Sequence, residues 1–278
     1  MTVVLGLDVG STYTKAVLLG DADRLLGRAM VRTGFKLEQA AERALQSALE
    51  QAGVTRDRVE YVVTTGYGRY QVSWRDVQVT DLTADARGSR WLFPGTRTVL
   101  DIGGQTMKAL RLDDEARVKS FRLNDKCAAG TGAFLEKTAR YMGYTTEEIG
   151  PLVATSKEPV AISGVCAVFA ESEVINHLSH GSPPADIMHG AIVSLVDRSV
   201  QLMKRVQMQP EVTLAGGILR FESMARIVRS KLDLEVNLPE GDLVQFVGAL
   251  GAAALGLRRL RKLAEPQVEA ATALPRAG

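Results

Sequence analysis

Three groups of residues in this chain have the types and spacing to do chemistry. The first is a pair of aspartates, each ending an apolar run and each followed by glycine and then, seven residues on, by lysine: Asp8, Gly10 and Lys15, and again Asp101, Gly103 and Lys108. All three positions recur at an offset of 93 residues (101−8, 103−10, 108−15). Such a unit suits phosphate. Glycine lets backbone N–H groups approach phosphate oxygens, the hydroxyls of Ser11 and Thr12 add donors, and lysine counters charge. A strand-end aspartate suits hydrated Mg2+, which commonly takes only one or two protein carboxylates beside the phosphates. One copy alone reads equally well as a Gly-containing hairpin, but two matched copies imply related halves facing a cleft.

The second group is the two cysteines. Cys127 stands in Asn124-Asp125-Lys126-Cys127-Ala128-Ala129-Gly130-Thr131-Gly132, after a strand-like run at 118–123 and before Phe134, Leu135, Thr138, Ala139 and Met142 at helical spacing. It is therefore expected at or just before a helix N-terminus, where unpaired N–H groups and the dipole favour a thiolate. Cys166 repeats the arrangement, with a strand-like run at 160–162 before it and a helical pattern from 167 to 178 after it. There is no Cys-x-x-Cys, which argues against a thioredoxin-like site. His177 and His180 could join the cysteines around zinc, but at poor spacing. A 4Fe-4S cluster normally takes four thiolates, so two cysteines imply a cluster shared by two chains about a two-fold axis. Two buried, inert thiols are the competing reading.

The third group is Gly216-Gly217, after a strand-like run from 212. It is either a place where backbone lies close to adenine or ribose, or a tight strand-to-helix turn. Gly130-Thr131-Gly132 lacks the third glycine of a dinucleotide fingerprint, since Leu135 takes its place, and no P-loop sequence occurs.

The elements that must position these residues follow from periodicity. Strands are expected at 3–8, 15–19, 59–65, 98–110 in two pieces, 212–218 and 234–236. Helices are expected at 37–53, 81–92, 187–206, 222–232 and 246–263. The pattern is α/β. The glycines of Thr65-Gly66-Tyr67-Gly68-Arg69 are read first as turn residues and Arg69 as a surface charge. Pro94-Gly95 marks a seam, giving residues 1–94 as a first lobe and 95–245 as a second lobe carrying the cysteines. Helix 246–263 is expected to pack back on the first lobe, and 264–278 to be a flexible tail. The net charge of +2, from 34 basic and 32 acidic residues, points to neither nucleic acid nor membrane. The N-terminus lacks the basic and apolar regions of a signal peptide, and 244–257 is too short and too small-residue-rich to span a bilayer. A cytoplasmic protein is expected, where disulfides are rare.

Taken together, these stretches resemble the ATP-hydrolysing activators of 2-hydroxyacyl-CoA dehydratases and the related ATPase subunits of benzoyl-CoA reductase. The resemblance runs from about residue 3 to 263 and also includes Val168-Phe169-Ala170-Glu171-Ser172-Glu173-Val174 and Ala215-Gly216-Gly217. It implies a duplicated ribonuclease H-like, two-lobed α/β ATPase of the actin, Hsp70 and sugar-kinase type, with mixed sheets and an interlobe nucleotide cleft. It places Asp8, Gly10, Ser11, Thr12, Lys15, Asp101, Gly103, Gly104 and Gln105 around the phosphates of ATP and Mg2+, and Gly216 and Gly217 at the adenosine. Gln105 is implied to orient the attacking water, with Asp8 and Asp101 helping through the metal. Cys127 and Cys166 are implied to ligate a 4Fe-4S cluster bridging two subunits. The implied partners are a second copy or a related ATPase subunit, the large CoA-ester-reducing subunits or a dehydratase, and a ferredoxin or flavodoxin-like electron donor. Residues 68–80 look more like the smaller reductase ATPase subunit, and the reductase branch is the first reading on that ground. Gly103-Gly104-Gln105 is the form usual in activators, and these carry a Cys-His pair where Thr83-Ala84-Asp85 stands. Homodimeric activator is the alternative, and an iron-free kinase of the same superfamily is the third.

Overall fold

The computed structural model describes residues 2–124, 131–163 and 167–264. The first half runs β1 (Val3–Val9), β2 (Tyr13–Leu19), β3 (Leu25–Arg32), α1 (Leu37–Ala52), β4 (Val59–Thr65), β5 (Val77–Gln78) and α2 (Asp81–Leu92). The second runs β6 (Thr98–Ile102), β7 (Met107–Leu112), β8 (Val118–Leu123), α3 (Gly132–Tyr141), α4 (Ile149–Ala154), α5 (Ala167–Ser179), α6 (Pro184–Arg205), β9 (Val212–Ala215), α7 (Glu222–Leu232), β10 (Val236–Asn237) and α8 (Val247–Ala264).

Each half builds a five-stranded mixed sheet, in the orders β3-β2-β1-β4-β5 and β8-β7-β6-β9-β10. In both, an antiparallel meander of three strands is continued by two parallel strands. The offset seen in the sequence is thus an offset between equivalent strands. β1 and β6 lie in the middle of their sheets with helices on both faces, so nearly every residue of each is buried and the sequence is a continuous apolar run.

The helices are shared between the halves. One face of the first sheet packs on α1, whose Ala41, Ala44, Leu45 and Ala48 meet Leu5, Leu7 and Leu18. Its other face packs on α8, which comes from the far end of the chain and brings Ala249, Leu250 and Ala253 against Val4, Val17 and Leu19. On the second sheet, α3, α6 and α7 bury the largest core. The opposite face is closed by α2, whose Ala86 meets Val99, Leu110 and Ala215.

α2 and α8 cross in backbone contact. A Cβ on Gly251 would fall on the Ala84 carbonyl and 2.6 Å from the Gly88 nitrogen, and one on Gly88 would strike the Val247 carbonyl. Small residues are what let two helices approach this closely.

Two expectations change. The run at 160–162 is not a strand: the Val160 N–H donates to the Asp186 carbonyl at 3.2 Å, and Gly190 of α6 admits the Val160 carbonyl. It lies along helices, since the second sheet already ends at β8. β3 is an element that periodicity did not mark. Its residues are mostly half-buried, and only its pairing with β2 makes it a strand. Among the described residues, no helix is long and apolar enough to cross a membrane.

Gly251→Val should destabilise the chain by about 3 kcal/mol in a urea melt, because backbone on the opposing helix cannot yield. Gly53→Ala, at a helix end with φ 62 and open space around it, should lose only about 1 kcal/mol, from conformation alone.

Candidate functional site

The two sheets open on one cleft of about 510 Å³. Asp8 and Asp101 end β1 and β6 there, and in each hairpin the lysine is the directly opposed residue: Asp8 faces Lys15 and Asp101 faces Lys108. Opposed residues on an antiparallel pair point to the same face, which brings acid and base together. Both turns close identically. The Gly10 N–H donates to the Tyr13 carbonyl at 3.1 Å, and the Gly103 N–H to the Thr106 carbonyl at 2.8 Å. The turns also meet each other, since a Cβ on Gly104 would lie 2.8 Å from the Thr12 hydroxyl oxygen.

All of the residues assigned to the phosphates line this cleft: Asp8, Gly10, Ser11, Thr12, Lys15, Asp101, Gly103, Gly104 and Gln105. Gln105 is exposed at its rim. Gly216 and Gly217 line it too. Gly216 has φ 102 and lies against Asp101, where a Cβ would come 2.6 Å from the carboxylate. Only glycine suits that position.

The charges of the two halves differ. Among the described residues, Lys15 has one carboxylate, Asp8, at 2.8 Å. Lys108 has three: Asp101 and Asp85 at 2.8 Å and Asp81 at 3.0 Å. The last two stand four apart on α2, so they share one helix face. That i, i+4 acidic pair was visible in the sequence, but nothing local tied it to Lys108. Burial pushes the Asp85 carboxyl up, Asp101 and Asp81 add to this, and Lys108 opposes it, leaving a value of about 7. Burial disfavours the Lys108 ammonium, but Asp101, Asp85 and Asp81 outweigh it and hold Lys108 well above an ordinary lysine.

The glycine-rich turn after β4 belongs to the site as well. The Gly68 N–H donates to the Val9 carbonyl at 2.8 Å, and Gly66, with φ 84, lies against the Asp8 carboxylate. Arg69 is not a free surface charge: it donates to the Gly66 carbonyl at 3.1 Å and stacks on Tyr70.

Cys127 and Cys166 lie outside the described residues. The helix after Cys127 begins at Gly132, and its first N–H groups are already engaged: Gly132 donates to the Gly103 carbonyl at 2.9 Å and Ala133 to the Gly104 carbonyl at 2.8 Å. These two donors are therefore unavailable to a thiolate, which corrects that part of the sequence reading. His177 and His180 each direct a ring nitrogen at a backbone carbonyl, of Ala161 and Asn176.

Residues 5–256 match the BadF/BadG/BcrA/BcrD ATPase family. The chain belongs to this family. It is 39% identical over 249 residues, 90% of this chain and 92% of the relative, to the 2-hydroxyisocaproyl-CoA dehydratase activator of Clostridioides difficile. It is 35% identical over 278 residues, 95% of this chain and 96% of the relative, to a benzoyl-CoA reductase subunit of Thauera aromatica. Among solved structures, the activator of the 2-hydroxyisocaproyl-CoA dehydratase from Clostridium difficile with bound ADPNP superposes with TM-score 0.89 at 36% identity, covering 98% of this chain and 100% of that one. The fold of this BadF/BadG-type ATPase is the two-lobed α/β arrangement of the actin, Hsp70 and sugar-kinase class.

Asp85 gives a pH signature. Its folded value lies above that of an unfolded aspartate, so the native state holds the proton longer and stability falls as pH rises from about 4 to about 7. Asp85→Asn has no such proton. Urea melts should show the stability of the variant relative to the parent growing across that window and levelling off above it.

Proposed function

We propose that this ATPase couples hydrolysis of MgATP to the delivery of low-potential electrons to a CoA-ester-processing enzyme, through a 4Fe-4S cluster held by Cys127 and Cys166 of two subunits. The observation that carries the reading is the pair of hydrogen bonds from Gly132 and Ala133 to Gly103 and Gly104. The turn assigned to the phosphates is bonded to the first residues of the helix that follows the Cys127 stretch in sequence.

The donor set of the cleft fits the nucleotide. The backbone N–H groups of Ser11 and Thr12 on one side and of Gly104 and Gln105 on the other are placed to meet phosphate, and Lys15 offers a cation. Asp8 and Asp101 are hard oxygen donors of the number that a hydrated magnesium ion takes. Gln105 is assigned to orient the water that attacks the γ-phosphorus as the bond to the ADP oxygen breaks. Gly216 and Gly217 leave room for the adenosine. When bound, the cluster would take up and release single electrons.

On the branch, the homodimeric activator is our first reading: two dehydratase activators are 39% and 40% identical to this chain, while a third activating ATPase and the reductase subunit are each 35% identical. The likeness of residues 68–80 to the smaller reductase ATPase subunit keeps benzoyl-CoA reductase as the second. The two predict different stimulation: ATP turnover should rise on adding a 2-hydroxyacyl-CoA dehydratase in the first case, and on adding the large benzoyl-CoA-reducing subunits in the second.

Anaerobically purified protein should contain about four iron and four acid-labile sulfide per dimer, and Cys127→Ala should lose them while still binding ATP. ATP binding without iron in the parent protein would instead favour phosphate transfer to a small substrate. Gln105→Ala should slow ATP hydrolysis on the order of 10²-fold with little change in nucleotide affinity, as measured by phosphate release and equilibrium dialysis.

A further inference from the structure

We infer that Lys108 is a positioning residue that couples what occupies the cleft to helix α2, through Asp81 and Asp85. This rests on the nucleotide reading above and adds to it a route between the halves.

The contrast with Lys15 carries the argument. The two lysines hold equivalent places in the two hairpins, yet Lys15 serves one carboxylate and Lys108 serves three. An ammonium has three N–H donors, enough for one bond to each. One of the three partners, Asp101, belongs to the cleft turn of the second sheet. The other two are on α2, in its first two turns. Lys108 is therefore a bridge from the nucleotide side to a helix that belongs by sequence to the first half.

α2 is suited to pass on a displacement. It lies on the second sheet through Ala86 and crosses α8 in backbone contact at Gly88 and Gly251, so no flexible side chain stands between the two helices to absorb movement. α8 in turn packs on the first sheet, and a Cβ on its Gly248 would lie 3.1 Å from Asp85 Oδ1 and 3.7 Å from Asp8 Oδ2. A phosphate-bound magnesium ion held by Asp101 would compete with Lys108 for that carboxylate. The ammonium would then be held by the two carboxylates of α2 alone, and would regain Asp101 when that ion leaves. Beside Asp8 on the first sheet it is Gly66, in the turn after β4, that lies against the carboxylate.

Trp91 makes this measurable. It sits near the end of α2, packed against the core that α8 forms with the first sheet, and the chain has only one other tryptophan, Trp74. In a Trp74→Phe background, Trp91 emission is recorded with ADP and with ADPNP, each at concentrations shown by equilibrium dialysis to saturate the protein in question. The parent should give different spectra in the two states. Asp81→Asn, and the charge-balanced pair Asp85→Asn with Lys108→Met, should each shrink that difference at least about fivefold, while Asp81→Glu restores it. Asp81 is partly exposed, so its variant keeps the test open if the buried pair does not fold. A difference undiminished in the saturated variants, or none in the saturated parent, overturns the inference. Failure of the parent to bind either nucleotide in dialysis overturns the nucleotide reading, and this inference with it.

Discussion

The structure depends on two helices crossing with nothing but backbone between them. α2 closes a face of the second sheet and α8 closes a face of the first, so each half of the chain completes the core of the other. Were Gly88 and Gly251 any larger, the helices would separate and the ends of β1 and β6 would move apart. The closeness of that crossing sets the spacing of Asp8, Asp85 and Asp101, and so decides whether two halves make one cleft.

Within the cleft, duplication has produced similar backbone and dissimilar electrostatics. The two turns share a hydrogen-bond pattern, Gly10 to Tyr13 and Gly103 to Thr106. Their lysines do not share a role. Lys15 is a simple ion-pair partner, whereas the ammonium of Lys108 is buried among three carboxylates. A buried charge is tolerated only where partners replace its water, and here the partners come from two different elements. That turns a strand-borne lysine into a fastening between sheet and helix, an arrangement open to disturbance by any cation that competes for Asp101.

The second turn has another fastening. Its carbonyls at Gly103 and Gly104 accept from the first N–H groups of α3. A helix start is usually satisfied by a capping side chain, but here Thr131 makes no side-chain cap and the turn takes that place. The start of α3 is thus tied to the same turn that is proposed to hold the phosphates.

Much of this was legible in the sequence because it is local. Continuous apolar runs marked β1 and β6, since strands buried on both faces have no polar alternation to hide them. The run from Leu37, stopped by Gly53 in a left-handed conformation, marked α1. The offset of the two Asp-Gly-Lys units announced the duplication, and the opposed Asp and Lys positions follow from hairpin register alone. Other features depended on parts of the chain far apart. β3 is a strand only because β2 pairs with it, and 160–162 is not one because α5 and α6 take its hydrogen bonds and its space. The role of Asp81 and Asp85 was invisible for the same reason: two acids on a helix face are ordinary until a lysine from another element is buried between them. The sequence by itself determined which residues can approach a phosphate, since that is a property of side-chain size and backbone freedom. Only the tertiary structure decided which charges meet, because a Coulomb interaction depends on distance and burial, and both are set by how the two halves pack.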